Sequence, residues 1–301
     1  MEEYEIYGSL KINMNIRKYF KKALQIFLIF AIIVHFTIKD MFYLSALLFY
    51  GTPLPMIVLG LLFLLLFTKA SARKYYIIVA LVIAVIWFNR SYTTSPNVDT
   101  TNAIEVVLWN AYRVRNFEDA FSVNKSTPDV MILIECDEYD YQKIKEKYKN
   151  YHFELTEKSV GIFSKMPIKV HSKVKTKDHV VVVHFSTKNT NFYAIDVSSD
   201  LRHFREPMLE SILSEVKTDE KNIILGDFNT PFESLFFETF KKEYQHAFTE
   251  KGNGFRETWF WNIPLLSLDH IWVSKDLEIL KTEKLVTWKS DHSMLKMYLK
   301  K

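Results

Sequence analysis

Three long apolar runs crowd into the first 91 residues of this 301-residue chain, and a water-soluble core has little use for them. Residues 23–38 are apolar apart from Gln25, His35 and Thr37. With Tyr19 and Phe20 that run reaches about 20 residues, the length that spans a bilayer core. A second run covers 41–67 and is interrupted by Gly51, Pro53 and Pro55; a third covers 75–88, with flanking aromatic residues to extend it. Over 59–67 no helical face stays polar, which argues against three buried helices of a soluble core. A cleaved signal peptide fits worse, since the first run begins late and no small-residue cleavage site follows it. The expectation is a membrane domain of three transmembrane helices in residues 1–90, meeting the lipid bilayer through residues 19–88. His35, inside the first span, reads as a neutral ring facing a neighbouring helix.

Positive charge sets the expected orientation. Arg17, Lys18, Lys21 and Lys22 precede the first run, and Lys69, Arg73 and Lys74 lie between the second and third. Between the first and second there is only Lys39, beside Asp40. The reading is an integral membrane protein of the cell or inner membrane, N-terminus cytoplasmic, with everything after residue 90 extracytoplasmic. Of 39 Lys/Arg and 35 Asp/Glu, ten and four fall in 1–91, which leaves 29 and 31, a net charge of −2, for 92–301. The C-terminal part therefore lacks the basic balance of a strong nucleic-acid binder. The single cysteine, Cys136, excludes an intramolecular disulfide and reads as a buried structural thiol.

Residues 91–103 (SYTTSPNVDTTNA) are small and polar and read as an exposed linker. Beyond it the texture changes. Segments 104–109, 130–134, 160–163, 180–185, 192–197, 223–225, 268–273 and 294–299 are rich in Val, Ile and aromatics and predict strands. Helices are expected over 117–124, 139–149, 204–217 and 233–243; the third carries an apolar stripe through Phe204, Met208, Leu209, Ile212, Leu213 and Val216. Many strands and few helices suggest a sheet-on-sheet sandwich flanked by helices.

The stretch Asn222 to Pro231 (NIILGDFNTP) combines a short buried strand with a polar end. Gly226 suits a tight turn or the close approach of another backbone. Asp227 and Asn229 are two residues apart, so in extended chain they share one side while Phe228 faces the other. Taken alone, an ordinary Asp/Asn turn explains this equally well. Other expected strands also end in polar residues, however: 104–109 at Asn110, 129–134 at Glu135, 268 at Asp269 and His270, and the last strand follows Ser290-Asp291-His292-Ser293. Five such endings suggest one rim on which carboxylates, amides and a histidine converge. His270 alternates to the face opposite Asp269 and stays outside this set.

These segments resemble, in family order, the endonuclease/exonuclease/phosphatase superfamily, the DNase I-like metal-dependent phosphohydrolases. The matching pieces are Val107-Leu108-Trp109-Asn110, Pro128 to Glu135 (PDVMILIE), Val160 to Pro167 (VGIFSKMP), Gly226-Asp227-Phe228-Asn229, Thr258-Trp259, Leu268 to Ser274 (LDHIWVS) and Ser290-Asp291-His292-Ser293. The resemblance covers roughly 104–300, and the family includes members with a short multi-span N-terminus. It implies a four-layer α/β sandwich over 104–301 with the site at the rim between two sheets. It implies Glu135 as the main ligand of Mg²⁺ (Mn²⁺ as an alternative), with Asn110 and Asp291 completing or supporting the site. Asp227 would orient and deprotonate the attacking water, Asn229 would hold a phosphate oxygen, and His292 would contact the scissile phosphate with Asp269 fixing its tautomer. Plainer roles exist for some of these: a strand-end cap for Asn110, a solvated terminus for Glu135, a Lys or Arg partner for Asp269.

One departure stands out. Family members often carry a histidine, sometimes a tyrosine, at the end of the strand before the 204–217 helix, where this chain has Asp196. An aspartate there either has a raised pKa and acts as an acid, or binds a second cation, or leaves the step to another group. Nearby Arg205 reads either as a phosphate contact or as part of a charged helix start. The expected activity is Mg²⁺-dependent hydrolysis of a phosphodiester, nucleic acid or phospholipid, outside the cytoplasm. The competing reading is a membrane-bound binding or scaffolding module of the same fold. The segment 255–266 (FRETWFWNIPLL) reads equally as core packing or as a lipid-touching loop.

Overall fold

The computed structural model describes residues 2–137, 139, 141–156, 160–217 and 221–301, with side chains from residue 15 onward. It divides into two compact units, Met1–Arg90 and Ser91–Lys301.

In the first unit, helix α1 (Glu2–Ile33) runs on through a π-helical turn (Val34–Ile38) and is followed by α2 (Tyr43–Gly51), α3 (Leu54–Phe63) and α4 (Ala70–Ser91). Two stretches, Asn15–Ile38 and Ala70–Ser91, are long and apolar enough to cross a membrane. The middle run behaves differently from a straight span. It breaks after Gly51 and turns by 70° between Tyr43–Gly51 and Leu54–Phe67. The cause is local: Pro53 and Pro55 lack the N–H groups a continuous helix needs, and Pro53 becomes the N-cap of α3. By length and composition, two helices could cross a membrane, or three segments if the bent pair is one span. Leu28, Ala31, Ile57, Leu61, Ala80 and Ile83 pack against one another, while Leu44 and Leu66 point outward. His35 is buried with its ring 4.7 Å from that of Phe49, the helix-facing position expected of it.

The second unit starts earlier than expected. Strand β1 (Tyr92–Thr93), within the stretch read as linker, pairs with β11 (Gly254–Phe255), and the Ser91 carbonyl accepts from the Arg256 N–H at 2.9 Å. Next come β2 (Ile104–Asn110), α5 (Phe117–Asn124), β3 (Val130–Ile134), α6 (Tyr141–Lys147), β4 (His152–Leu155), β5 (Gly161–Ser164), β6 (Lys169–Lys175), β7 (Val180–Thr187) and β8 (Thr190–Val197). Then follow α7 (Arg205–Glu215), β9 (Asn222–Asp227), α8 (Glu238–Glu243), β10 (Tyr244–His246), α9 (Ala247–Lys251), β12 (Asp269–Ser274), β13 (Ile279–Leu285) and β14 (Met294–Leu299). Part of the helix expected over 139–149, residue 140, lies outside the described residues. The strands form two six-stranded sheets, ordered β10-β12-β9-β8-β7-β6 and β13-β14-β2-β3-β5-β4.

Period-2 alternation explains the layers. Along β2, Val106 and Leu108 join the cluster between the sheets, with Leu225, Ile271 and Leu295. Val107 and Trp109 face the other way, onto Phe117 and Ala120 of α5. Along β9, Ile223 and Leu225 point inward while Ile224 packs with Met208 and Ile212 of α7. Helices therefore cover the outer face of each sheet, and the fold is the four-layer α/β sandwich of the DNase I type. Counting by twos from these inward residues puts Asn110, Asp196, Asp227 and Asp269 on the inter-sheet side of their strands.

Candidate active site

Gly226 shows why the rim can be so tightly drawn. Its φ is 156°, and a Cβ there would lie 1.9 Å from the Ile195 carbonyl oxygen of β8. Only glycine lets β8 and β9 approach this closely while staying in register, Ile195 opposite Gly226 and Asp196 opposite Asp227. On the other flank, antiparallel β12 sets Asp269 opposite Asp227. Three carboxylates on three adjacent strands thus reach one level of one sheet.

The second sheet contributes across the gap. Asn110 Nδ2 donates to Asp227 Oδ2 at 3.0 Å, and His292 Nδ1 lies 2.8 Å from Asp269 Oδ2. Both bonds join one sheet to the other. Ligand atoms of Asp227, Asp269 and His292 all lie within 4.8 Å of one another, and all three residues are buried. Asp227 Oδ1 also accepts the Asn229 N–H at 2.8 Å. The partner of Asp269 is therefore His292, not a Lys or Arg.

Burial and neighbours set the protonation states. Burial, then the charge of Asp269, pushes the Asp227 carboxyl up to about 8, against His292 and the Asn229 N–H. For His292, burial opposes the charged form, but Asp269 by charge and hydrogen bond, then Asp227 and Asp291, outweigh it and raise the imidazole to about 10. His292 is thus held by a carboxylate in surroundings that favour its charged form. Burial, then the Glu135 carboxylate, lifts Asp196 to about 7, with Arg113 acting the other way.

The residues expected to hold a metal are arranged more loosely. Glu135 follows β3 with φ of 52° and pairs with Arg113 at 3.0 Å. Asn110 is no mere strand-end cap: it is buried, and its Oδ1 accepts the Tyr112 N–H at 3.0 Å while its amide reaches Asp227. Asp291 Oδ2 accepts from Trp259 Nε1 at 3.0 Å. Its Oδ1 is buried with no hydrogen-bond partner among the described residues, as is Asp269 Oδ1. A buried anionic oxygen without a donor is costly unless something cationic completes it. Asn110, Glu135 and Asp291 all carry hard oxygen donors of the kind a divalent cation prefers.

Asn229 holds φ of 45°, a conformation Asn tolerates better than most residues. One hydrogen of its amide goes to the Val197 carbonyl at 2.8 Å, which leaves the other for a ligand. Arg205 takes the structural option. It is buried, and its guanidinium donates to the carbonyls of Asn229 at 3.1 Å and Ser198 at 2.9 Å, tying the two strand ends together. His270 packs on the outer face, as alternation requires. Thr249 N–H donates to His246 Nδ1 at 3.3 Å, so His246 Nε2–H points to His270 Nδ1 at 3.1 Å. His270 Nε2–H then reaches the Thr230 carbonyl at 2.9 Å and pins the turn behind Asn229.

Sequence reasoning gave no role to Arg113, Thr258 or Ser290. Thr258 Oγ1 accepts from the Leu268 and Asp269 N–H groups, both at 3.2 Å. Ser290 Oγ donates to the Asn110 carbonyl at 2.8 Å and accepts from the His292 N–H at 3.0 Å. Thr258 and Ser290 sit in stretches already singled out, whereas Arg113 lies in a loop with no motif.

A model of a family described as the endonuclease/exonuclease/phosphatase family matches residues 107–292. Among solved structures, a family protein of that description from Bacteroides thetaiotaomicron superposes with a TM-score of 0.51 at 15% identity, over 65% of this chain and 97% of its own. A humanized D. rerio TDP2 gives 0.52 at 14%, over 67% and 100%. An endonuclease/exonuclease/phosphatase from Bacteroides vulgatus gives 0.50 at 14%, over 66% and 98%. At these identities the likeness is one of fold. No curated protein sequence matches the chain.

Proposed function

This chain belongs to the endonuclease/exonuclease/phosphatase family, and on that premise we propose that it hydrolyses a phosphodiester at the rim where its two sheets meet, held at a membrane by its N-terminal helices. The observation that carries the reading is the convergence of Asp227, Asp269 and His292 within 4.8 Å, from parts of the chain far apart in sequence.

In the proposed reaction, a water oxygen bonds to phosphorus and one P–O ester bond breaks. Asp227 accepts the water's proton; its raised pKa makes it a base matched to near-neutral pH. Asn110 and the Asn229 N–H hold its two oxygens in place. His292, charged and fixed by Asp269, donates to a phosphoryl oxygen as negative charge builds there. The Asn229 amide binds a further oxygen. Asp196, lifted to about 7, carries a proton that the leaving oxygen takes up. It therefore fills the place where relatives often have histidine or tyrosine. Glu135, Asn110 and Asp291 would hold Mg²⁺ or Mn²⁺. When bound, such an ion neutralises phosphoryl charge as a Lewis acid.

The location follows from charge. If the bent pair α2–α3 were re-entrant, Lys69, Arg73 and Lys74 would lie on the side opposite the basic N-terminus. The positive-inside tendency favours the alternative, in which the pair crosses and the second unit is extracytoplasmic.

The test is turnover of bis(p-nitrophenyl) phosphate by the purified full chain with Mg²⁺, with EDTA, and with Asp227→Ala. Turnover that EDTA stops and the substitution lowers by about 10²-fold or more is the expected result. Turnover indifferent to Asp227 would remove the assignment. Its complete absence on nucleic acid, phospholipid and chromogenic diester would leave the binding-module reading in its place.

A further inference from the structure

Three loops at the mouth of this site carry exposed apolar side chains, and hydrogen bonds clamp the loops together. The loop after β2 presents Tyr112 and Val114, the latter 55% exposed. The loop before β12 presents Phe260 and Ile263, the latter also 55% exposed. The loop between β13 and β14 presents Val286 at 60% and Trp288 at 73%. Arg115 Nε donates to the Lys289 carbonyl at 2.8 Å, joining the first loop to the third. Asn262 Nδ2 donates to the Thr287 carbonyl at 3.0 Å and Asn262 Oδ1 accepts the Thr287 N–H at 3.2 Å, joining the second to the third. The rings of Tyr112 and Trp261 meet edge-on at 6.0 Å, joining the first to the second. The collar is continuous with the site: Trp261 N–H donates to the Asp291 carbonyl at 2.9 Å, and Tyr112 is two residues from Asn110.

Apolar side chains gathered and held in water mark a surface meant for something apolar. We propose that this collar enters the headgroup and upper acyl region of a bilayer, and that the site behind it takes the phosphate ester of a membrane glycerophospholipid. The substrate half of this rests on the phosphoesterase reading above. Three observations choose a bilayer over a nucleic acid. The collar mixes aromatic with aliphatic residues; Val114, Ile263 and Val286 offer no face for a base to stack on. Nucleic-acid affinity comes largely from cations on phosphates, yet residues 92–301 carry a net charge of −2, and the collar's cations are engaged, Arg113 with Glu135 at 3.0 Å and Lys289 with Asp119 at 2.8 Å. Tyr and Trp at a loop tip also suit the water–lipid interface.

The experiment uses the full chain reconstituted in phosphatidylethanolamine/phosphatidylglycerol vesicles. Ile263→Ser with Trp288→Ser, both exposed and outside the catalytic set, should lower hydrolysis of vesicle lipid at least about tenfold while bis(p-nitrophenyl) phosphate turnover stays within about twofold. Equal effects on both, or none on lipid, would overturn the proposal. So would turnover of single-stranded oligonucleotide, sensitive to the same substitutions, with none of lipid. A second readout does not need activity: the emission of wild type minus that of Trp288→Phe isolates one indole. Blue-shifted difference emission quenched by acyl-brominated lipid is expected, and water-exposed, unquenched emission would rule the collar out. If no diester shows Asp227-dependent turnover, the phosphoesterase reading and the lipid-ester half fail together. The fluorescence then decides the membrane-surface half by itself.

Discussion

Asp227 and Asp196 illustrate how identical side chains are raised in pKa by different neighbours. They face each other across a parallel register, yet Asp227 is raised by burial and Asp269, and Asp196 by burial and Glu135. If Asp196 delivers the proton to the leaving group, its protonated form is the active one. Since Asp227 must at the same time be deprotonated, the turnover rate should peak between about pH 7 and 8 and fall at higher pH, and Asp196→Asn should lose that alkaline limb along with most of the rate. A pH–rate profile of the two proteins on a poor leaving group measures this. An unchanged alkaline limb in the variant would assign the limb to another group. Of the groups set around these acids, Arg113 was the one to which sequence reasoning assigned no role. From sequence, Arg205 read either as a phosphate contact or as part of a charged helix start, whereas its guanidinium is buried on carbonyls that only folding brings near.

At the scale of elements, the β8–β9 pair and the α2–α3 break carry the most weight. Gly226→Ala places a methyl group 1.9 Å from the Ile195 carbonyl oxygen, a backbone atom that cannot rotate away. We expect a loss on the order of 3 kcal/mol or more, together with activity, read from denaturant unfolding. A well-folded, fully active alanine variant would show that the strands tolerate separation. The α2–α3 break decides parity: with it crossing, a reporter fused after residue 301 should be active only outside the cytoplasm, and cytoplasmic activity would establish the re-entrant form. Strong strands were legible because they are buried on both faces and rich in β-branched residues. Strand β6 (KVHSKVK) was missed since it is an edge strand with half its side chains in water and lysine along it, the composition of a protected edge rather than a core. The start of the linker was misread for a related reason. Tyr92 and Thr93 pair with Phe255 and Gly254, some 160 residues on.

For the catalytic unit as a whole, acid is the informative stress. His270 is lowered to about 4 by burial, and His246 lies well below its usual value for the same reason. The unfolded chain binds those protons near pH 6.5 and the folded chain does not. Stability is therefore fully present above about pH 6.5 and declines as pH falls toward 4. His270 alone contributes a loss on the order of 3 kcal/mol. Thermal melts between pH 7.5 and 4.5 should show the decline, and His270→Gln should flatten it. A melting temperature constant over that range would mean the two rings accept protons in the fold.

Local sequence by itself determined which residues could take part: apolar runs too long and too uniform for a soluble core, strands by their alternation, and the ordered polar endings that announced a rim. It determined these because periodicity and hydrophobicity act over a few residues. Tertiary structure alone decided who meets whom. It joined Asn110 to Asp227, turned Arg205 into a tie between strand ends, and gathered three separate loops into one apolar collar. Those pairings depend on the register of two packed sheets, a property of contacts between distant segments that no single segment encodes.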